Sequence, residues 1–281
     1  MKDDNINLLD YRLLVFDIDG TIQDSQHVLH DETRETLFRL RDFGVDYTLA
    51  TGKHLSACRT TADTLAVDLP LILSNGCLLQ RRDGEIIHEE HMPLELTLDF
   101  IEICKEGVRD LALYIGDAIY VETVTENISI LLEYGAPELK EIRCWSALDG
   151  RLERVNKCLV ADRESQMNLF ELEAISRERL GERVDYCQTV KEMFEIMPKG
   201  VSKLSALRKL AAILGIEMEM VMSFGDGDND AEILSGAGLG VVVANASQLA
   251  KDNADLIIAS CDQHGPAVFL QELMSKAGRT D

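Results

Sequence analysis

The sequence predicts an α/β protein, a doubly wound parallel sheet interrupted by an inserted α+β domain. Two observations carry this. Short apolar runs alternate with helical patterns in the first and last thirds of the chain, as βαβ units do. Between them the rhythm changes to hairpins and mixed strands and helices, with no internal repeat or long linker.

The elements follow in order. Tyr11–Phe16 (YRLLVF) reads as a buried strand, short, apolar and closed by a Gly-containing turn. Asp31 opens a helix with Leu37 and Leu40 three apart on one face. Val45–Thr51 is a second strand, His54–Leu65 a helix and Leu69–Asn75 a third strand, a βαβαβ order that places ligands at the C-terminal strand ends. Next, CLLQ and EIIHEE flank an Asp83-Gly84 turn as a hairpin. From about Met92 to Asp185 the pattern is helix, two strands (Leu111–Ile115 and Ile119–Val121), helix, strand (Val155–Val160) and helix. The α/β alternation is expected to return from Phe194, with a helix over Val201–Leu214, a strand at VMSF, a helix from Asp228, and strands at LGVVVA and LIIA. A last helix lies near Gln263–Lys276. The expected division is a core of residues 1–84 and 192–281 around an insert of 85–191.

Composition narrows the function. The 281 residues suffice for two domains, and 46% hydrophobic content is that of an ordinary globular chain. A formal net charge of −22 disfavours nucleic acid and anionic membranes as partners, so a phosphate site here needs local positive charge from a cation, a lysine or helix N-termini. No apolar run is long enough to span a bilayer, and MKDDNINLLDYR has no signal-peptide pattern, so a cytoplasmic protein is expected. The seven cysteines lack C-x-x-C spacing and read as reduced, mostly buried thiols.

Four segments bend local rules. In Phe16-Asp17-Ile18-Asp19-Gly20-Thr21, two aspartates two residues apart follow an apolar strand, on one side of the chain by period-two geometry. Two carboxylates so placed repel unless a cation or proton intervenes, and both suit phosphoryl transfer: an ionised, Mg²⁺-bound Asp17 as nucleophile and a protonated Asp19 as acid. Oxygen-only ligands favour Mg²⁺ over zinc. The plainer reading is a pair of turn aspartates. Thr51-Gly52-Lys53 after the second strand offers a hydroxyl, a glycine amide and a helix N-terminus to an anion, or is an ordinary turn. Lys203, in Lys-Gly-Val-Ser-Lys, sits in the first turn of a helix, at the wrong end for the helix dipole; it is either a surface lysine or an ammonium facing phosphate and Asp17. Phe224-Gly-Asp-Gly-Asp-Asn-Asp230 is an acidic turn after a strand, able to supply Mg²⁺ ligands or simply to cap a helix. All four adjoin elements of one predicted sheet, whose strand ends converge on one crevice.

Taken in this order, D-I-D-G-T, T-G, K-G-V-S-K and G-D-G-D-N-D resemble the four motifs of the haloacid dehalogenase superfamily, and the large insert resembles that of its Cof-type phosphatases, over about Leu13 to Leu270. The resemblance implies a Rossmann-like core with an inserted cap domain. It implies Asp17 as nucleophile, Asp19 as acid/base, Lys203 as the neutralising lysine, and Thr51, Gly52 and Asn229 as phosphate contacts. The Mg²⁺ ligands would be Asp17, Asp226 and the backbone carbonyl of Asp19, with Asp230 orienting metal-bound water or Lys203. Asn75-Gly76 would form a turn near the active site and Asn245-Ala246 a turn beside the metal loop. Lys53 stands where an Arg is usual, and Ala244 where a Gly is usual.

The implied activity is hydrolysis of phosphate monoesters of small metabolites, such as sugar phosphates, through a phospho-aspartate, with the cap closing over the organic group. A phosphomutase on the same scaffold and a non-catalytic metabolite-binding module are the alternatives; the intact set Asp17, Asp19, Lys203 and Asp226 speaks against the second. His54 is expected to be exposed or capping, His88 and His91 solvated, His264 a helix cap and Trp145 packed or partly exposed.

Overall fold

The computed structural model describes residues 6–107, 109–136, 138–163, 166–188 and 190–278. The chain divides into two compact units. Residues up to Thr51, Arg59–Ile87 and those from Ser202 onward form the first; Gly52–Cys58 and His88–Val201 form the second.

The first unit is built on five parallel strands in the order β14-β13-β12-β1-β2, namely Leu256–Ile258, Leu239–Val243, Val221–Gly225, Leu13–Phe16 and Asp46–Leu49. Every residue of β1, β12 and β13 is buried, as expected of parallel strands covered on both faces. Leu13 and Val15 of β1 pack with Ala206, Leu207 and Leu210 of helix α6 (Lys203–Leu214), which explains the apolar face of that helix. Phe16 and Phe224 stack at 4.5 Å where β1 and β12 run side by side. Helices α1 (Asp31–Arg39), α2 (Leu55–Thr64), α7 (Ala231–Gly236), α8 (Gln248–Asp252) and α9 (Gly265–Ala277) complete the α/β alternation; α2 begins in the segment assigned to the second unit.

The chain leaves β1 toward β2 on one side and returns through α6 to β12 on the other. The sheet order thus reverses between β1 and β12, the place where open α/β sheets bind ligands. The third expected strand, β3 (Leu71–Leu73), meets the main sheet only through an isolated parallel bridge from Ala50 to Ile72. Its ladder partner is antiparallel β4 (Leu78–Gln80), which continues to β5 (Ile86–Glu89).

The second unit holds a six-stranded sheet, β10-β11-β9-β6-β7-β8, with helices α3 (Leu94–Glu106), α4 (Ile130–Glu133) and α5 (Gln166–Leu180). Its strands are β6 (Leu111–Ile115), β7 (Ala118–Val121), β8 (Lys140–Glu141), β9 (Val155–Ala161), β10 (Val184–Cys187) and β11 (Met193–Pro198). The expected end of the insert at 191 and the return of the core at Phe194 differ from this arrangement. β11 pairs antiparallel with β9 and β10, and Phe194 and Ile196 join the core formed by Phe100, Leu113 and Leu172, so the unit runs on to Val201. Trp145 is buried in that core. A fully buried ion pair, Lys157 Nζ to Glu195 Oε2 at 2.9 Å, bridges β9 and β11.

His54 is buried rather than exposed, its ring nitrogens meeting Ser56 Oγ and the Gly116 carbonyl oxygen. His88 and His91 are partly exposed beside Glu90 and Glu89. His264 stands at the N-cap of α9 but makes no side-chain capping bond; its ring packs against His30. Five of the seven cysteines are buried, and none is disulfide-bonded. Among the described residues, no helix is long and apolar enough to cross a membrane.

Candidate active site

Asp17 follows β1 directly, and its amide donates to the Phe224 carbonyl of β12 at 2.9 Å, so the chain leaves the sheet tied to the neighbouring strand. The Lys203 ammonium reaches Asp17 Oδ1 at 2.6 Å and Asp230 Oδ1 at 2.7 Å, with all three side chains buried. The position of Lys203 in the first turn of α6, unfavourable to the helix dipole, is thus offset by two carboxylates. The helix start is held independently by a capping box between Ser202 and Ser205.

The acidic loop after β12 folds around Asp230. Asp230 Oδ2 accepts the amides of Asp226 (3.0 Å) and Gly227 (2.9 Å), while Oδ1 takes the lysine. Gly225 permits this fold, because a Cβ there would lie 2.5 Å from Asp230 Cγ. Asp226 Oδ1 accepts from Thr21 Oγ1 at 3.1 Å, joining the loop after β12 to the turn after β1. Asn245 Nδ2 donates to the Gly20 carbonyl at 2.8 Å, and the Ser247 amide to the Asp226 carbonyl at 2.8 Å, so the turn after β13 braces both.

Asp17, Asp226 and Asp230 each offer a carboxylate oxygen, all within 4.8 Å of one another. Burial raises the Asp17 carboxyl well above the usual range; Lys203 opposes this while Asp230 and Asp226 add to it. Burial, then Asp230, pushes Asp226 up to about 7. Burial alone would lower the Lys203 ammonium, but Asp17 and Asp230 outweigh it and hold it above its ordinary value. Such carboxylates are short of positive charge, and an all-oxygen donor set of this kind fits a hard divalent cation. Asp230 has both oxygens engaged by Lys203 and the loop amides, which leaves Asp17 and Asp226 as the carboxylates suited to an ion.

Asp19 is partly exposed, and its Oδ1 lies 2.9 Å from His27 Nδ1. Thr51 is buried; its amide donates to the Ile72 carbonyl (2.8 Å) and its carbonyl accepts from the Asn75 amide (3.1 Å). Asn75 Oδ1 in turn accepts from Asn229 Nδ2 at 2.9 Å, so the turns after β2, β3 and β12 are linked. Gly52 belongs to the second unit, where Lys157 Nζ donates to its carbonyl at 3.1 Å. Neither Thr21 nor His27 is among the residues that the sequence marks as functional. Thr21 was within reach, being part of the D-I-D-G-T run, whereas nothing in the pattern around His27 marks it.

Gly20 has φ +71°, and a Cβ there would sit 2.4 Å from Asp226 Oδ2. Gly20→Ala is therefore expected to cost roughly 1–3 kcal/mol and to displace Asp226. Denaturant unfolding of the variant checks this; wild-type stability contradicts the packing described.

The family model for haloacid dehalogenase-like hydrolases matches residues 14–270. The chain belongs to this family. It is a hydrolase with a parallel core sheet and a second unit that holds a sheet of its own. It is 30% identical over 270 residues to an HMP-PP phosphatase of Cronobacter sakazakii, covering 92% of this chain and 94% of that protein. The HMP-PP phosphatase of Yersinia pestis is 30% identical over 268 residues, covering 94% and 96%. Among solved structures, a haloacid dehalogenase-like hydrolase from Bacteroides thetaiotaomicron superposes with a TM-score of 0.84 at 25% identity, covering 94% of this chain and 99% of that one. A Thermotoga maritima protein superposes at 0.82 with 27% identity, covering 93% and 97%.

Proposed function

We propose that this hydrolase is a Mg²⁺-dependent phosphatase that cleaves phosphate monoesters of small metabolites through a phospho-aspartate at Asp17. One observation carries the reading: a buried ammonium, Lys203, spans the carboxylates of Asp17 and Asp230 beside Asp226, at the point where the sheet order reverses. The relatives named as HMP-PP phosphatases support the substrate class and make HMP-PP a first compound to assay.

The Asp17 carboxylate attacks phosphorus in line as the P–O ester bond breaks, and Asp19 gives its proton to the departing oxygen. Asp19 then takes a proton from the water that attacks phosphorus of the acyl phosphate, which releases inorganic phosphate and restores Asp17. Lys203 faces the negative charge that gathers on the phosphoryl oxygens. Thr51 and Asn229 hold the phosphoryl group, and Asp230 fixes Lys203 and the loop amides. Asp17, Asp226 and the Asp19 backbone carbonyl would hold Mg²⁺, which supplies charge neutralisation between nucleophile and phosphate when bound.

The test is phosphate release from a panel of sugar phosphates, nucleotides, phosphorylated vitamins and HMP-PP, with Mg²⁺ and with chelator. Turnover that needs Mg²⁺ and no acceptor sugar is expected; turnover only with an acceptor, or none on any ester, overturns the reading.

Ion binding should also depend on pH. Below about pH 7 the raised Asp226 carboxyl holds a proton that must leave before it can ligate, so Mg²⁺ affinity is expected to rise with pH through this range. Calorimetric titration between about pH 5.5 and 8 checks this, and a flat profile contradicts Asp226 as a ligand.

A further inference from the structure

The segment after the Asp17 turn carries an exposed loop that is unusually well built. Asp24 Oδ1 accepts the amides of Gln26 and Val28, each at 2.9 Å, and its Oδ2 meets His30 Nε2 at 2.7 Å. The His27 amide donates to the Asp24 carbonyl (2.9 Å) and the Asp24 amide to the Val28 carbonyl (3.1 Å). From outside the loop, Asp262 Oδ1 accepts the Ser25 amide at 2.8 Å, and His30 packs edge-on against His264 at 4.5 Å between ring centres.

This frame holds His27 at φ +59°, a left-handed conformation that costs a non-glycine residue free energy and persists only where its surroundings impose it. In that conformation the imidazole Nδ1 lies 2.9 Å from Asp19 Oδ1. An exposed side chain with no task has no reason to be held in strain against a carboxylate eight residues back. General-acid transfer depends on where the acid's oxygen points, and the His27 contact bears directly on the orientation of the Asp19 carboxyl.

We propose that His27 is a positioning residue for Asp19, fixing one carboxyl oxygen so that the other is aimed at the ester oxygen on which the P–O bond breaks. The proposal rests on the reading of Asp19 as acid/base. It assigns the Asp24–Asp262 frame a purpose: to carry the imidazole.

The experiment compares two substrates of the holoenzyme with Mg²⁺ present. One is an alkyl sugar phosphate from the panel, whose leaving group needs a proton; the other is p-nitrophenyl phosphate, whose leaving group needs little. H27A is expected to lower kcat on the alkyl ester by about tenfold more than on the aryl ester, with KM little changed, a fraction of the roughly 10²–10⁴ typical of a general acid. H27N should recover much of the loss, because Asn tolerates the left-handed conformation and its amide can replace Nδ1. D19A, run in parallel, should show the same leaving-group dependence more strongly. If D19A shows none, the acid/base reading fails and takes the inference with it. If D19A shows it and H27A loses equally on both esters, or loses nothing, the inference about His27 alone is overturned. Failure of H27N to recover the alkyl-ester rate also counts against it.

Discussion

Asp17→Asn is expected to lower turnover of every phosphate ester by roughly 10³-fold or more, since an amide can neither attack phosphorus nor carry it as an acyl phosphate. The loss should not come from unfolding. Asp17 is buried with its carboxyl raised by burial and by Asp230 and Asp226, so an amide of the same shape removes a charge the site tolerates only with Lys203 or a cation beside it. Lys203 keeps its bond to Asp230. Without divalent ion the variant should therefore be at least as resistant to denaturant as the wild type while remaining inactive. Turnover above about a tenth of wild type contradicts the assignment, because removing a nucleophile costs far more.

Lys203→Met has the opposite signature. The side chain is 1% exposed, and its ammonium compensates two buried carboxylates. Removing one partner of such a group leaves charge buried and unpaired, at a cost of about 3–5 kcal/mol. The variant is expected to lose activity and to unfold at clearly lower urea concentration in chelator. Mg²⁺ should return part of the stability, because a cation between Asp17 and Asp226 again offsets the crowded charge. Wild-type stability in chelator would mean that the Asp17–Lys203–Asp230 arrangement contributes little.

Much of this site is legible in the sequence, for a physical reason. A parallel strand buried on both faces is an uninterrupted apolar run, so polar residues that interrupt it mark the strand end, where α/β sheets bind ligands. LLVF before Asp17 and VMSF before the acidic loop are such runs, and Lys203 is conspicuous because it sits against the helix dipole. What escaped the sequence depends on non-local pairing. Met193–Pro198 carries the same apolar signal whether it belongs to the main sheet or the insert, and only its register against β9 decides. Leu71–Leu73 likewise reads as one more parallel strand until its antiparallel partner is seen. His54 gives no sign that its ring will be buried against the Gly116 carbonyl oxygen, and His27 none that a loop will hold it on Asp19. Polar side chains at turns look alike in sequence; their partners come from elsewhere in the fold.

Turnover through Asp17 requires a transient covalent bond between its carboxylate and phosphorus. Quenching the working enzyme within one turnover and reducing with borohydride converts an aspartyl phosphate to homoserine, which peptide mass spectrometry locates. Homoserine is expected at position 17, dependent on substrate and Mg²⁺ and absent from Asp17→Asn. Reduction at another aspartate, or none during demonstrated turnover, contradicts it.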